Sequence, residues 1–235
     1  MITFVSILKI LTFTASNFHA MERVSVYIDG FNFYYGLKRK KAVDNDWKKF
    51  YWINFVKLFD HFNLNNQTLQ KVYYFTTPPL NFQKSNRQGA LLEANKLLNG
   101  NQFEVITGKF YEKAQICPVC NATFTVPEEK RTDVNISCQM LRDCAQNKTD
   151  TLVLVSADSD LVPPLELIKK DYPRKKIKIF FPPKSFSYDL NNLVKFHKGK
   201  VTFLERNKVR FINSVMPSVI TVDGKTCTIP AKWNI

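Results

Sequence analysis

The feature that most constrains the fold of this chain is the alternation of short apolar segments with helical patterns. In "TLVLVSADSDLVPPLELI", residues 151–168, a run of Val, Leu and Thr leads directly into a helical pattern. Strands that are this uniformly apolar are typical of parallel sheets covered by helices on both faces. The pattern therefore predicts a doubly wound α/β domain with a mainly parallel central sheet.

The same reasoning locates the other elements. We expect strands at 23–28, 71–77, 103–110, 151–156, 177–181 and 201–204, and helices at 32–40, 53–63, 82–98, 133–146, 161–171 and 188–196. Apolar periodicity defines each segment, and Pro, Gly and Asn mark their ends.

The 235 residues divide into three regions. Residues 21–205 hold the alternating pattern and are expected to form one domain, whereas residues 206–235 lack strong periodicity and are expected to pack on it as a tail. Residues 1–20 resemble a weak secretory signal, but Lys9 interrupts their apolar run. Because strand-like alternation begins only after Met21, we expect the native protein to start there, with residues 1–20 as a non-native extension.

Four aspartates lie where predicted strands end or predicted helices begin. Asp29 ends the first strand, and Asp158 and Asp160 directly follow the strand of the opening example. Asp133 comes after Thr132, which we expect to be a helix N-cap. Ligands of an open parallel sheet bind beyond the carboxyl ends of its strands, so these four carboxylates are expected to meet at one edge.

Such a cluster has two interpretations. Carboxylates held close together repel one another unless cations neutralise them, and hard oxygen ligands select Mg²⁺ or Mn²⁺. Ions of this kind activate water and neutralise charge on a phosphate during its transfer. Alternatively, each aspartate only caps a helix or ends a turn, as single aspartates usually do. Four at the same predicted edge favour the metal site, and Asn32, in the first turn after Asp29, can reach it as well.

Two other phosphate chemistries compete with a metal site. No glycine-rich phosphate-binding motif follows the first strand, so a nucleotide loop is not supported. The segment "DSDLV" at 158–162 resembles the nucleophile motif of haloacid-dehalogenase phosphatases. In those enzymes the motif follows the first strand of the core, whereas here it follows a late one. The phosphatase therefore ranks second.

The charge of the chain indicates a polyanionic partner. Lys and Arg number 34 against 20 Asp and Glu, which gives a net charge of +14. An excess of this size favours nucleic acid, and no basic amphipathic helix suggests a membrane. Basic residues cluster at 38–41 and at 174–178, although clusters of this kind also occur as solvated surface.

Three segments together resemble the signature blocks of a known family. They are "VSVYIDGFNFYYGL", "EEKRTDVNISCQMLRDC" and "TLVLVSADSDLVPPLELIKK", and they are similar to the NYN domain, in its LabA-like branch, within the PIN-like nuclease superfamily. The resemblance extends over most of the chain from Met21 to Trp233. It implies a three-layer PIN-like (Rossmann-like) fold and a metal-dependent ribonuclease, with endonucleolytic cleavage expected.

The resemblance also implies roles for single residues. The expected catalytic, metal-holding carboxylates are those of Asp29, Asp133, Asp158 and Asp160, with Asn32 as a further catalytic residue. Substrate contacts are expected from Ser156, Arg131 and Lys109. The implied cofactor is Mg²⁺ or Mn²⁺ and the implied substrate is RNA, with DNA as an alternative. A module that binds RNA without cleaving it stays open as well.

The cysteines point to a reduced compartment and to a second metal. Their number is five and their spacing is uneven, which argues against a disulfide framework and favours the cytoplasm. Cys117 and Cys120 form a C-x-x-C pair, which is half of a structural zinc site. The missing ligands would come from Cys138 or from a second subunit, so a homodimer is expected in the latter case. Otherwise the pair is an ordinary exposed turn.

Overall fold

A six-stranded sheet lies at the centre of the computed structural model of this protein, which describes residues 21–195 and 201–234. In chain order the strands are β1 Glu22–Asp29, β2 Gln67–Thr76, β3 Phe103–Thr107, β4 Lys109–Ile116, β5 Thr123–Lys130, β6 Thr151–Val155, β7 Lys176–Phe181, β8 Val201–Phe203, β9 Val219–Val222 and β10 Lys225–Thr228. The central sheet has the order β3-β2-β1-β6-β7-β8, and all its neighbouring strands are parallel. The predicted α/β class with a parallel sheet is confirmed.

Helices cover both faces of this sheet. They are α1 Gly30–Val43, α2 Phe55–Asp60, α3 Phe82–Asn99, α4 Thr132–Ala145, α5 Val162–Asp171, α6 Tyr188–Lys195 and α7 Lys208–Ile212. Side chains of β1 alternate between two cores: Val26 and Ile28 pack with α1, α2 and α3, while Tyr27 packs with α4, α5 and α6. Because both faces are buried, the strands need apolar residues at almost every position.

The strand order places a switch point between β1 and β6. From β1 the chain winds through β2 to the edge strand β3, and it later returns to β6 and winds through β7 to the opposite edge. Adjacent strands whose connections leave in opposite directions form a crevice at their carboxyl ends. Asp29 ends β1 and Asp158 follows β6, so both aspartates lie at this crevice.

The segment predicted as one strand at 103–110 is two strands. β3 belongs to the central sheet, whereas β4 pairs antiparallel with β5 in a separate hairpin. Gly108 lies at the break: its amide donates to the Thr76 carbonyl at 2.9 Å, and a Cβ there would lie 2.5 Å from the Thr77 hydroxyl. The absence of a side chain lets the chain turn sharply out of the sheet.

Two further differences concern the core. The predicted helix at 53–63 contracts to α2, and the unpredicted 3-10 helix Asn45–Tyr51 precedes it and buries Trp47 and Phe50. Beyond residue 205, the ring of Phe211 lies 6.3 Å from that of Phe33 and 5.2 Å from those of Trp47 and Phe50. Residues 206–234 are therefore part of the core and do not lie loosely on its surface.

The segment 1–20 and its proposed start site lie outside the described residues. Within residues 21–195 and 201–234, no helix has both the length and the apolar character needed to cross a membrane.

Candidate metal centre

Asp29 is the buried anchor of the crevice. It caps α1, because its Oδ1 accepts the Asn32 amide at 3.0 Å, while its Oδ2 accepts the Asn32 side-chain amide at 2.6 Å and the Ser156 hydroxyl at 2.8 Å. Burial raises the pKa of Asp29, the hydrogen bonds from Asn32 and Ser156 oppose this rise, and the charge of Asp158 adds to it. The three donors fix the orientation of the carboxylate.

Ser156 connects Asp29 to the turn after β6. Its hydroxyl is fully buried, donates to Asp29 and accepts the backbone amide of Asp158 at 3.0 Å. Asp158 caps the short 3-10 helix Ser159–Leu161, with its Oδ1 accepting the Asp160 amide at 3.0 Å. These contacts position the half-buried Asp158 carboxylate beside Asp29.

Asp133 completes a cluster of three carboxylates. It lies in the first turn of α4, and one carboxylate oxygen from each of Asp29, Asp133 and Asp158 lies within 4.8 Å of the others. Partial burial, reinforced by the charges of Asp158 and Asp29 and more weakly by Glu129 and Asp160, raises the pKa of Asp133 to about 6. Carboxylates this close repel one another, and a bound cation would relieve that repulsion.

Glu129 is a neighbour of the cluster that the sequence did not single out. It lies on β5, where its Oε1 accepts the hydroxyls of Thr77, at 3.0 Å, and Thr132. Thr132 is consequently the first residue of α4, so its prediction as the N-cap is wrong; Arg131 caps the helix in a left-handed conformation with φ 83°. The Thr132 hydroxyl binds Glu129, so it does not cap the helix.

Three other predicted site residues lie outside the cluster. Asp160 is exposed at the surface of the turn. The Arg131 guanidinium donates to the Tyr111 hydroxyl on the hairpin and lies 5.5 Å from the centre of that ring. Lys109 is exposed at the start of β4. Arg131 and Lys109 therefore both lie at the base of the hairpin.

An open pocket of about 280 Å³ adjoins the crevice. Gly30, which follows Asp29, forms part of its wall, as does Thr76 at the end of β2. The pocket is lined by six aromatic rings, those of Phe31, Tyr34, Tyr35, Tyr74, Phe110 and Trp233, and by three cations, Lys38, Lys84 and Arg87. Aromatic rings combined with cations are the surface that single-stranded nucleic acids bind.

The four aromatic residues of "FNFYY" differ in their placement. Phe33 is in the core, whereas Tyr34 and Tyr35 are exposed, with ring centres 5.4 Å apart in an edge-to-face arrangement. The Lys38 ammonium lies 5.7 Å from the centre of the Tyr35 ring. Only the residues that turn away from the core are available to a ligand.

The basic cluster at 174–178 lies at the other end of the sheet. Lys176 begins β7 and forms a 2.7 Å ion pair with Glu22 at the start of β1, and Lys175 lies 3.6 Å from Asp150. The amino ends of the strands are at the edge opposite to the crevice, so these cations cannot line it. By contrast, Lys38 of the other cluster lines the pocket.

The cysteine pair lies at the tip of the hairpin formed by β4 and β5. Cys117 and Cys120 are free thiols at the surface. Hydrogen bonds to the Cys117 sulfur from the backbone amides of Cys120 and Val119, and one from the Cys120 side chain, lower the pKa of the Cys117 thiol. Cys138 lies on α4 and is also exposed.

Comparison with known proteins identifies relatives of the whole domain. The family model of the NYN domain matches residues 23–200. The 6-hydroxy-3-succinoylpyridine 3-monooxygenase HspA of Pseudomonas putida is 24% identical over 246 aligned residues, which cover 90% of this chain and 75% of that protein. A crystal structure of a protein of unknown function from Vibrio parahaemolyticus has a TM-score of 0.51 at 17% identity, covering 78% of this chain and 93% of that one. At that identity the likeness concerns the fold alone.

Proposed function

The chain belongs to the NYN domain family, and from this premise we propose that it is a metal-dependent ribonuclease that hydrolyses RNA phosphodiester bonds at the crevice between β1 and β6. The observation that carries the proposal is the convergence of Asp29, Asp133 and Asp158, with carboxylate oxygens within 4.8 Å of one another. The family points to the PIN-like nuclease superfamily, and the aspartate cluster supplies the chemistry that such an enzyme needs.

The donor set fits a hard divalent cation. Three carboxylates offer only oxygen atoms, which are the ligands that Mg²⁺ and Mn²⁺ prefer. The raised pKa of Asp133 shows that this negative charge is not neutralised by the protein itself. When bound, such an ion would lower the pKa of water and neutralise charge on a phosphate. Asp29, Asp133 and Asp158 would hold it.

The protein's own residues then have three tasks. Asn32 and Ser156 hold the Asp29 carboxylate in one orientation through three hydrogen bonds. Asp133 exchanges a proton near neutral pH, because its pKa lies at about 6. The aromatic and cationic pocket next to Gly30 would bind an unpaired stretch of the nucleic acid through base stacking and phosphate contacts.

Finer assignments belong to the same proposal. The three sequence blocks support placing the chain in the LabA-like branch, and the reduced cysteines support a cytoplasmic location. Arg131 and Lys109, at the base of the hairpin, and Asp160, at the turn, are proposed to contact the RNA rather than the metal.

The experiment is incubation of the purified full chain with labelled single-stranded RNA, duplex RNA and DNA, each with Mn²⁺, Mg²⁺ or EDTA. We expect cleavage of single-stranded RNA that requires the metal and is lost in Asp133→Asn. The matched control is Asp171→Asn, an exposed aspartate at the end of α5, which should cleave at the wild-type rate. Cleavage in EDTA, or full activity of Asp133→Asn, would refute the proposal.

The alternatives predict different results from the same preparation. An RNA-binding module retains RNA without cleaving it under any metal condition. A phosphatase releases phosphate from small monoesters and forms a covalent aspartyl-phosphate at Asp158.

A third alternative comes from the relative in Pseudomonas putida, whose name gives it as a monooxygenase of 6-hydroxy-3-succinoylpyridine. A pocket lined by aromatic and cationic side chains also suits a small aromatic acid of that kind. Turnover of this compound with dioxygen and an electron donor, but no cleavage of RNA, would favour the relative's activity over the nuclease.

A further inference from the structure

The hairpin formed by β4 and β5 has a tip that the proposed nuclease site does not use. Residues 109–130 pair along their whole length and leave the central sheet, and their tip carries the segment Cys117-Pro118-Val119-Cys120. Both thiols are free. An exposed pair of cysteines outside a disulfide needs a physical explanation, because exposed thiols are readily oxidised.

The backbone of this tip has the form of a metal knuckle. The Cys117 sulfur accepts hydrogen bonds from the amides of Val119 and Cys120, which stabilise a thiolate there. The Asn121 amide donates to the Cys117 carbonyl at 2.9 Å, and the Cys117 amide donates to the Ala122 carbonyl at 2.9 Å. Asn121 has φ 57°, in the left-handed region, so the turn closes around the two sulfurs.

The two thiols make only half of a metal site. Structural Zn²⁺ takes four ligands in tetrahedral geometry, and thiolates are among the ligands that it prefers. Among residues 21–195 and 201–234, the only group of three or more potential ligands is the aspartate cluster. Neither Cys138 nor any acidic side chain of the described part completes the pair.

The surroundings of the tip favour contact with another protein surface. Val119, between the two cysteines, is 91% exposed, and Ile116 and Phe124, on either side of the tip, are 67% and 47% exposed. Apolar side chains gathered at the end of a protruding hairpin are typical of an interaction surface. A second copy of the same tip supplies both the apolar partner and two further thiols, which a symmetric dimer makes available in matching positions.

We propose that Cys117 and Cys120 of two copies of this chain together bind one Zn²⁺ as a tetrathiolate site that joins the hairpin tips in a symmetric dimer. Binding replaces the four thiol protons, which are released to solvent, and forms four sulfur–zinc bonds. The site lies outside the aspartate cluster and does not depend on the nuclease function.

The test uses the purified full chain, its zinc content by elemental analysis and its mass in solution by light scattering after gel filtration. We expect a dimer with about one zinc per two chains, which becomes a monomer with EDTA and is restored by added zinc. Cys117→Ser and Cys120→Ser should be monomers without zinc. Cys138→Ser removes an exposed cysteine from α4 and should retain both the metal and the dimer.

A second variant examines the apolar contact with all ligands intact. Val119→Asp places two like charges at the joined tips, so we expect a dimer that dissociates at lower dilution than the wild type. Co²⁺ in place of zinc should give the visible absorption of a tetrahedral thiolate site in the wild type and not in Cys120→Ser.

Three outcomes would overturn the proposal. Protein purified and supplied with zinc that contains none has no site at the tip. One zinc in each monomeric chain would show that the remaining ligands come from the same chain. A dimer that persists in EDTA and in Cys117→Ser would show that the subunits join elsewhere.

Discussion

Asp133 differs from Asp29 in how its carboxylate is held. Three donors hold the Asp29 carboxylate, whereas the described residues donate no hydrogen bond to that of Asp133, which burial and its acidic neighbours disfavour in the charged form. Asp29→Asn would set a new N–H group against donors from Asn32 and Ser156, so it would cost stability as well as activity. Asp133→Asn separates the two effects.

For Asp133→Asn we expect loss of RNA cleavage together with a more stable protein at pH 7.5. The folded-state pKa of about 6 exceeds the unfolded value of 3.8, so the folded state binds more protons between these values. The carboxylate therefore lowers the free energy of unfolding as the pH rises from 4 to 6. With allowance for solvent screening, the variant should gain about 1 kcal/mol above pH 6 and nothing at pH 4.

Urea denaturation of both proteins at the two pH values, without divalent ions, measures this gain. Saturating Mn²⁺ should reverse the order, because the ion stabilises only the protein that binds it well. A variant that is less stable than the wild type at pH 7.5 without metal would show that Asp133 holds the turn and is not a repelled ligand.

Metal affinity should depend on pH for the same reason. A cation that binds the cluster displaces the proton of Asp133, so affinity for Mn²⁺ should rise from pH 5 to pH 7 and level off above it. Calorimetry in buffers of different ionisation enthalpy should detect proton release near pH 6, and none in Asp133→Asn. Affinity that stays constant over this range would place the ion elsewhere.

At the scale of the elements, α1 presents two faces with different tasks. Phe33 and Leu37 are buried against the sheet, while Tyr34 and Tyr35 face the pocket. Stacking of a base on an aromatic ring is worth about 1–3 kcal/mol. Tyr35→Ala should therefore weaken binding of single-stranded RNA at least about fivefold, with little effect on the melting temperature.

Tyr35→Phe is the matched control, because it retains the ring and removes only the hydroxyl. Fluorescence anisotropy with a short labelled RNA would compare the three proteins in the presence of Ca²⁺, which should occupy the oxygen ligands without supporting cleavage. Equal affinities for Tyr35→Ala and the wild type would show that the pocket does not bind the bases.

The sequence predicted those elements whose burial pattern is local. β6 and α5 could be located because an apolar run and a helical period are visible within a short window. The hairpin of β4 and β5 could not, because its strands are mostly exposed and carry no apolar alternation. Glu129 was missed for that reason: its position near Asp133 depends on how the hairpin leaves Gly108.

Asp160 illustrates the limit at a single turn. The aspartates at the carboxyl ends of β1 and β6 could be grouped because parallel strands end at one edge. Whether both aspartates of "DSD" face the crevice depends on the turn that follows. Asp158 caps the 3-10 helix Ser159–Leu161, and this turn directs Asp160 to the surface. Spacing in the sequence does not determine that orientation.

At the scale of the whole molecule, the net charge of +14 is divided between two edges of the sheet with different environments. At the amino edge, Lys176 and Lys175 are close to Glu22 and Asp150, so carboxylates already offset much of their charge. At the carboxyl edge, Lys84 and Arg87 line the open pocket next to the crevice. Composition alone indicated a polyanionic partner, but only the fold distinguishes which cations face it.

The two edges give a matched comparison of double variants. Lys84→Ser with Arg87→Ser should weaken binding of single-stranded RNA and reduce the salt dependence of its affinity, because each cation lost from a phosphate contact releases fewer counterions. The slope of log affinity against log salt should become shallower by about 1 to 1.5 for two lost contacts. Arg174→Ser with Lys176→Ser removes the same charge from the amino edge and should leave the slope almost unchanged. Equal effects of the two pairs would mean that the RNA responds only to the net charge, and the carboxyl edge would then have no special role in binding it.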